Sequence, residues 1–497
     1  MSDPFGKMPG RWGGGWGGPG AAAVLAVVLL FFVVVAVLLA RRAPEFYMDD
    51  DITHYLYSRH APAHPENLVS VWARPLPTTL RVPLARLGVF PARLLAAATL
   101  ALAGLVAARS ARRLFPDGTA PPAVAAAATL FAPFSVLLSF SVLTEPVFAA
   151  VLALAADAYL ARRPRLAALV AGLLPLTRPE GFFLGPAIGV ALAWRELRGG
   201  DGPIGRRAAR ILGLAAIMFV PLVAWDLAGL ALTGEALYVW KHIWWKDLPA
   251  GYYGQGDWLH YARRLPAIVG PWLLPLFAVG AVAALRRPGL RFVALLFAFY
   301  LALHSAMFAT GRFGAAGYER YFVAVAPLAG VLVAAGAEAG AGGAARLRSG
   351  GRRLAVAAVA ALALVQAGAS IRFVHWFPPF HPSPEHQAVD EAIAFLRARD
   401  PEAPRRVVQA APYFWLAADV DPFAAGLGQW REAPGRAPPG AIILWDPISV
   451  GRQVGIEPGA LVRAGFQPLF RTTKKAWDGE YELVVYEKGA APPAPGP

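Results

Sequence analysis

Residues 21 to 40 form an unbroken apolar run with no charge and no proline. About 20 helical residues at ~1.5 Å each cross a ~30 Å hydrocarbon layer, so this one segment can span a bilayer. Similar runs recur near 91 to 108, 121 to 139, 146 to 161, 165 to 177, 181 to 194, 211 to 231, 266 to 285, 292 to 309, 321 to 340 and 353 to 370. A chain that is 57% hydrophobic and only 16% charged agrees with them. Together these features exclude a secreted enzyme, a nucleic-acid-binding domain and a disordered tail, and predict an all-α polytopic membrane protein with about eleven transmembrane helices. A cleaved leader has a shorter apolar stretch ending in small residues, whereas this one ends at Arg41-Arg42; an uncleaved anchor is expected, preceded by a flexible cytoplasmic segment over 1–20 that carries Trp12 and Trp16.

The net charge of +15 is distributed in a way that sets orientation. Arg109, Arg112 and Arg113, then Arg162, Arg163 and Arg165, then Arg195, Arg198, Arg206, Arg207 and Arg210, then Arg286, Arg287 and Arg291, then Arg346, Arg348, Arg352 and Arg353 fill alternate short connections. Short basic connections face the cytoplasm, so the amino terminus is expected inside, in the cytoplasmic membrane of a bacterium. Outer loops are then expected at 41–90, 232–265 and 310–320, with everything after residue 371 outside. The chain has no cysteine, which removes thiol catalysis, disulfides and cysteine-type zinc sites.

Residues 372–488 predict a small extracytoplasmic α/β domain after the membrane region of 21–371. Ser383 and Pro384 open a helix with Val389, Ile393 and Leu396 on one face until Pro401. Short strands are expected at 407–410, 441–445, 466–470 and 483–486, each bounded by Pro or Gly. Residues 489–497, rich in Pro and Ala, are expected to be disordered.

Candidate chemistry gathers in the outer connections. The first begins Tyr47-Met48-Asp49-Asp50-Asp51-Ile52-Thr53-His54-Tyr55. Three adjacent carboxylates repel one another unless a cation or proton is held there. On a helix they sit one turn from His54, Tyr55 and Tyr57; a capping cluster at the positive helix end is the bland alternative. Glu145, followed by Pro146, reads either as a helix cap or as a site acid. Arg178 at membrane depth needs a partner, either Glu145 or Glu180 or an anionic ligand. Tyr318-Glu319-Arg320-Tyr321 precedes a late span, where Arg320 is either a snorkelling interfacial residue or a phosphate contact. The 232–265 loop carries Tyr238, Trp240, Lys241, His242, Trp244, Trp245, Lys246, Tyr252 and Tyr253, suited to sugar stacking and phosphate or to lying on the bilayer surface. Asp157 is expected to pair with Arg162, and Asp226 to be structural. The spacing of His54, His60 and His64 does not match a zinc site, and no metal is expected.

The acidic pair after the first span, then Tyr55-Leu56-Tyr57-Ser58-Arg59-His60 and Trp72-Ala73-Arg74-Pro75-Leu76-Pro77, resembles the GT-C glycosyltransferases, specifically the polytopic bacterial enzymes related to protein mannosyltransferases and lipid A aminoarabinose transferases. The resemblance implies an inverting enzyme working on the outer face, which moves a hexose or related sugar from a polyprenyl-phosphate donor to an extracytoplasmic glycolipid, polysaccharide or protein. It implies Asp50 as general base on the acceptor hydroxyl, with Asp51 second and Asp49 leaving the register open. Arg178 and Arg320 would hold the donor phosphate, Glu145 the acceptor, with Glu180, Tyr318, Glu319, Lys241, His54 and Tyr55 as further contacts. Neither cofactor nor metal is implied, because such donors lack the diphosphate that draws a divalent ion. The rival readings are a transporter or flippase of lipid-linked intermediates, against which no internal repeat is visible, and a non-catalytic assembly or sensor protein.

Overall fold

The computed structural model describes residues 19–116, 118, 121–199, 203–243, 245, 248–347, 350–381, 383–424, 434–476 and 479–489. Residues 1–18 of the lead expected over 1–20, Trp244, Lys246, Arg348 and the tail after Gly489 lie outside them. Two compact units emerge, one from the first helix together with 65–375, the other from 43–64 together with 376 onward.

The first unit is helical. In chain order it holds α1 (Pro19–Arg42), then α3 (Pro75–Ala85), α4 (Val89–Leu114), α5 (Pro121–Leu130), α6 (Pro133–Leu138), α7 (Glu145–Leu160), α8 (Pro164–Gly172), α9 (Gly181–Gly199) and α10 (Ile204–Thr233). It continues with α11 (Tyr238–Lys241), α12 (His260–Arg263), α13 (Leu265–Val269), α14 (Leu274–Ala284), α15 (Pro288–Thr310), α16 (Ala326–Leu347) and α17 (Gly351–Phe373); α2 (Asp49–His60) belongs to the second unit. Every run singled out in the sequence is helical, and 6 helices among the described residues are long and apolar enough to cross a membrane. This is a multi-pass membrane protein.

Three predicted spans are broken: 165–177 gives way after Gly172 to a 3-10 turn over Leu174–Leu176, and the other two part for identifiable reasons. The 121–139 run parts between α5 and α6 because Pro133 has no N–H and forces Ala132 out of helical conformation, to ψ 143°. The 266–285 run parts at Gly270, whose φ is +99° and where an added Cβ would lie 2.4 Å from the Gln366 side chain. Elsewhere Gly280 and Gly336 let α14 and α16 touch backbone to backbone; a Cβ at either would fall within 2 Å of a carbonyl oxygen of the other helix. Asp157, expected beside Arg162, is held by Arg113 Nε (2.9 Å), Arg109 Nε (3.2 Å) and the Ser110 hydroxyl (3.2 Å). Positions 109 and 113 lie one turn apart on the face of α4 that packs on α7, whereas Arg162 follows α7 in a turn with positive φ. Asp226 accepts from the Val239 N–H at 3.0 Å, a structural role as expected.

The second unit is an α/β fold. Its four-stranded sheet has the order β1-β2-β4-β3, from β1 (Val407–Gln409), β2 (Ile442–Trp445), β3 (Phe466–Ala476) and β4 (Gly479–Lys488). The β1 and β2 strands are parallel, while β4 runs antiparallel to both β2 and β3. Across this sheet α18 (Pro384–Arg399) lies on β3 and β4, with Val389, Ile393 and Leu396 buried as the periodicity predicts. Ser383 caps α18 by accepting from His386 N. Val408, Ile443, Val450, Leu461, Phe466 and Val484 make the core on one sheet face. The outer-loop helix α2 packs against α19 (Pro412–Ala417) of the same unit. The single outer loop expected over 41–90 is thus divided, contributing 43–64 here and 65 onward to the helical unit.

Candidate active site

In the helical unit, chain breaks rather than helix middles present the polar residues. Glu145 opens α7, Arg178 and Glu180 sit in the turn before α9, His304 lies in the last turns of α15, and Arg320 lies in the 3-10 turn leading into α16. Glu145 (1% exposed), Glu180, His304 and Arg320 are all buried. Arg178 joins them. Its Nη1 is 2.9 Å from Glu145 Oε1 and 3.1 Å from the Thr144 hydroxyl, and its Nε and Nη2 reach Glu180 at 3.1 and 2.8 Å. Arg320 Nε is 3.8 Å from Glu145, and His304 Nε2 is 3.4 Å from Glu180. Tyr321 lies under both Arg178 (5.3 Å) and Arg320 (5.6 Å), and Tyr318 faces Arg320 at 5.2 Å. Burial pushes Glu180 up, but Arg178 and His304 outweigh it and hold its carboxyl below the usual range.

One residue given no role by sequence completes the cluster. Arg74 is 2% exposed, adopts φ +70°, and its Nη1 and Nη2 find no hydrogen-bond acceptor among the described residues. Its guanidinium stands over the Trp245 ring at 5.1 Å. Burial lowers it to about 9, Glu180 pulling it back up and Arg178 adding to the fall; it stays a cation at neutral pH. Local chemistry holds it there. Its own N–H bonds the Ser70 carbonyl (3.0 Å), Trp225 Nε1 pins the preceding turn through Val69 O (2.8 Å), and Pro75 starts α3 immediately after it. The signals in the sequence were an arginine wedged before Pro75 and, for His304, a lone histidine in an apolar helix. Arg74, Arg178 and Arg320 thus bring three buried or half-buried guanidinium groups to Glu145 and Glu180, with Arg81 also buried nearby and its Nη2 3.4 Å from the Leu143 carbonyl.

The remaining predicted residues fall elsewhere. Glu319 pairs with Arg264 at 3.1 Å, and Lys241 is exposed at the end of α11, in the loop that supplies Trp245. His54 and Tyr55 are buried on α2, where burial raises the Tyr55 hydroxyl. The three acids that open α2 occupy different environments. Asp51 is 1% exposed and accepts the Tyr47 N–H at 3.2 Å, tying the chain ahead of α2 back onto its first turn; it does not cap the helix, whose N-cap Met48 has no side-chain bond. Burial pushes Asp49 up to about 6, with His386 opposing and Asp50 and Asp446 adding to the rise. Asp50 is half-buried.

These features define a multi-pass membrane protein with a helical unit and a small α/β unit. The chain is similar over 94% of its length to the crystal structure of ArnT from Cupriavidus metallidurans bound to undecaprenyl phosphate, at TM-score 0.63 and 16% identity, covering 98% of that chain. The apo structure of the same protein matches at TM-score 0.61 with the same identity and coverage. No protein-family model and no curated protein sequence matches the chain.

Proposed function

We propose that this protein is a GT-C glycosyltransferase that moves a hexose or related sugar, with inversion, from a polyprenyl-phosphate donor to an acceptor outside the cytoplasmic membrane. The observation that carries this reading is Arg74, a buried guanidinium at φ +70° whose Nη atoms find no acceptor among the described residues and which stands beside the cluster of Arg178, Glu180 and Arg320. A sugar phosphodiester brings one negative charge. As the acceptor oxygen attacks the anomeric carbon, the carbon–oxygen bond to phosphate breaks and the electron pair leaves with the phosphate, whose charge rises to two. Arg74 and Arg320 stabilise that added charge, which speeds the reaction only because it grows in the transition state. Because Arg178 is committed to Glu145 and Glu180, its role is to hold those carboxylates, with Glu145 toward the acceptor. Asp50 takes the acceptor proton. ArnT, similar in fold, was crystallised with undecaprenyl phosphate, which favours a polyprenyl-phosphate donor.

The test is transfer from a panel of labelled polyprenyl-phosphate sugars by purified protein in lipid, with a crude membrane extract as acceptor source. Release of the sugar from one donor, dependent on Arg74, is expected; silence across mannose, glucose, galactose and aminoarabinose donors would transfer weight to transport of lipid-linked intermediates. Orientation is checked separately in the cysteine-free chain. Ala63→Cys is expected to label with an impermeant maleimide from outside, and Ala345→Cys only after the membrane is opened; both positions are exposed. The reverse pattern overturns an outward-facing reaction.

A further inference from the structure

The α2 helix carries the candidate base, yet it is anchored by residues more than three hundred positions away in sequence. Ahead of it, Glu45 forms an ion pair with His386 of α18, and the His386 ring stacks on Tyr413 at 3.8 Å. At its far end, two aspartates of one turn take three cationic or imidazole groups. Asp419 Oδ1 meets Arg59 Nη2 at 2.6 Å. Asp421 Oδ2 meets His64 Nε2 at 2.8 Å and His60 Nδ1 at 3.3 Å, while its Oδ1 accepts the Phe423 N–H at 2.9 Å. The Phe423 ring then closes on Tyr57 (4.8 Å), His64 (5.8 Å) and His60 (6.1 Å). Asp419 holds φ +58°, an uncommon conformation for a residue other than glycine.

A structural ion pair normally needs one carboxylate and one cation. Here a single carboxylate oxygen serves two imidazoles from one helix end, with the other oxygen committed to shaping the turn that presents it. That division makes the orientation of α2 depend on the state of Asp421.

We propose that the turn from Asp419 to Phe423 is a latch that positions α2, with Asp421 as its main positioning residue, so that the α/β unit sets the placement of Asp50. The inference rests on the glycosyltransferase reading for its effect on turnover, and on geometry alone for its effect on α2. The latch has a built-in pH response. Burial lowers His60, with Arg59 and His64 adding to the fall while Asp421 and Asp419 oppose it. Asp421 is also lowered: burial pushes it up, but the Phe423 N–H, His64 and His60 outweigh that. For both groups the unfolded chain binds the proton more readily, so each contribution is complete at alkaline pH and lost on acidification, from 6.5 downward for His60 and from 3.8 downward for Asp421.

Ser58, fully buried on α2, reports the latch without any assay of turnover. In a Ser58→Cys chain, maleimide labelling is expected to be slow, and to become about tenfold faster when Asp421→Ala is added, through local opening of α2. Asp421→Asn keeps the shape and an acceptor for a neutral imidazole N–H, which covers the case in which the alanine variant does not fold. It is expected to label slowly at pH 8 and faster at pH 5.5, because the Asp421 charge that opposes the fall of His60 is gone, with the parent changing less. In the chain without the Ser58 substitution, Asp421→Ala is expected to lower kcat with KM for the donor unchanged. Equal labelling in parent and both variants overturns the latch. Faster labelling with unchanged kcat in an active enzyme overturns the positioning role. If the unmodified protein transfers no sugar, the glycosyltransferase reading fails while labelling still decides the latch.

Discussion

Asp50→Asn is expected to abolish sugar transfer, lowering kcat by about 10²- to 10⁴-fold, while the protein inserts and melts as the parent does. The expectation rests on the unequal environments of three adjacent acids. Asp51 is buried on the Tyr47 N–H, so Asp51→Ala is expected to cost stability, roughly 1–3 kcal/mol for a buried N–H left without its acceptor. Asp49 titrates at about 6, above its ordinary 3.8, so its contribution to stability is complete below 3.8 and lost as pH rises through 6. Asp49→Asn is therefore expected to raise the melting temperature at pH 8 and to lose that advantage in acid. Asp50 is half-buried, which leaves it the one of the three acids proposed to meet the acceptor hydroxyl. Three neighbouring substitutions thus separate into loss of activity, loss of stability and gain of stability at alkaline pH. Thermal unfolding and donor turnover on the same three samples check this, and normal turnover in Asp50→Asn removes the base assignment.

Periodicity and run length made the helices legible, because a bilayer imposes one length and one composition on whatever crosses it. The α/β unit was legible for a different reason. Ser383-Pro384 and the apolar strand runs satisfy local rules, and α18 and the four strands form there, although β3 (Phe466–Ala476) and β4 (Gly479–Lys488) run well beyond the expected 466–470 and 483–486. What sequence did not reveal was association between distant segments. Nothing local to Asp49-Asp50-Asp51 indicates that this helix joins the chain beyond Trp376, since Glu45 with His386 and His60 with Asp421 are pairings across more than three hundred residues. Asp157 makes the same point on a smaller scale. Arg162 is its neighbour in sequence, whereas Arg109 and Arg113 are brought by helix packing. Glu145, Arg178, Glu180 and Arg320 were identifiable one at a time because charge at membrane depth is expensive; their meeting around one point depends on three separate chain turns.

Removing Arg74 is expected to separate catalysis from stability more sharply than any other change in the helical unit. A buried ion pair that loses one member leaves an uncompensated charge and destabilises by about 3–5 kcal/mol. Arg178→Ala should behave in that way, because Glu145 and Glu180 both lose their cation. Arg74 makes no ion pair with a carboxylate among the described residues, feeling Glu180 only at longer range; its Nη atoms have no acceptor there, and its backbone sits at φ +70°. Strain of this kind costs of order 1–3 kcal/mol and persists where surrounding structure enforces it. Arg74→Gly accepts the same backbone without that strain and removes the unpaired guanidinium, so the melting temperature should hold or rise. Donor turnover should fall by about 10²- to 10³-fold, the loss expected when one donor aimed at developing charge is removed. Arg74→Lys supplies the charge as a point rather than a fork and should recover part of the rate. The two curves to compare are thermal unfolding without donor and kcat/KM for the polyprenyl-phosphate sugar. A protein that loses stability in step with activity would make Arg74 a structural residue and remove it from the donor site.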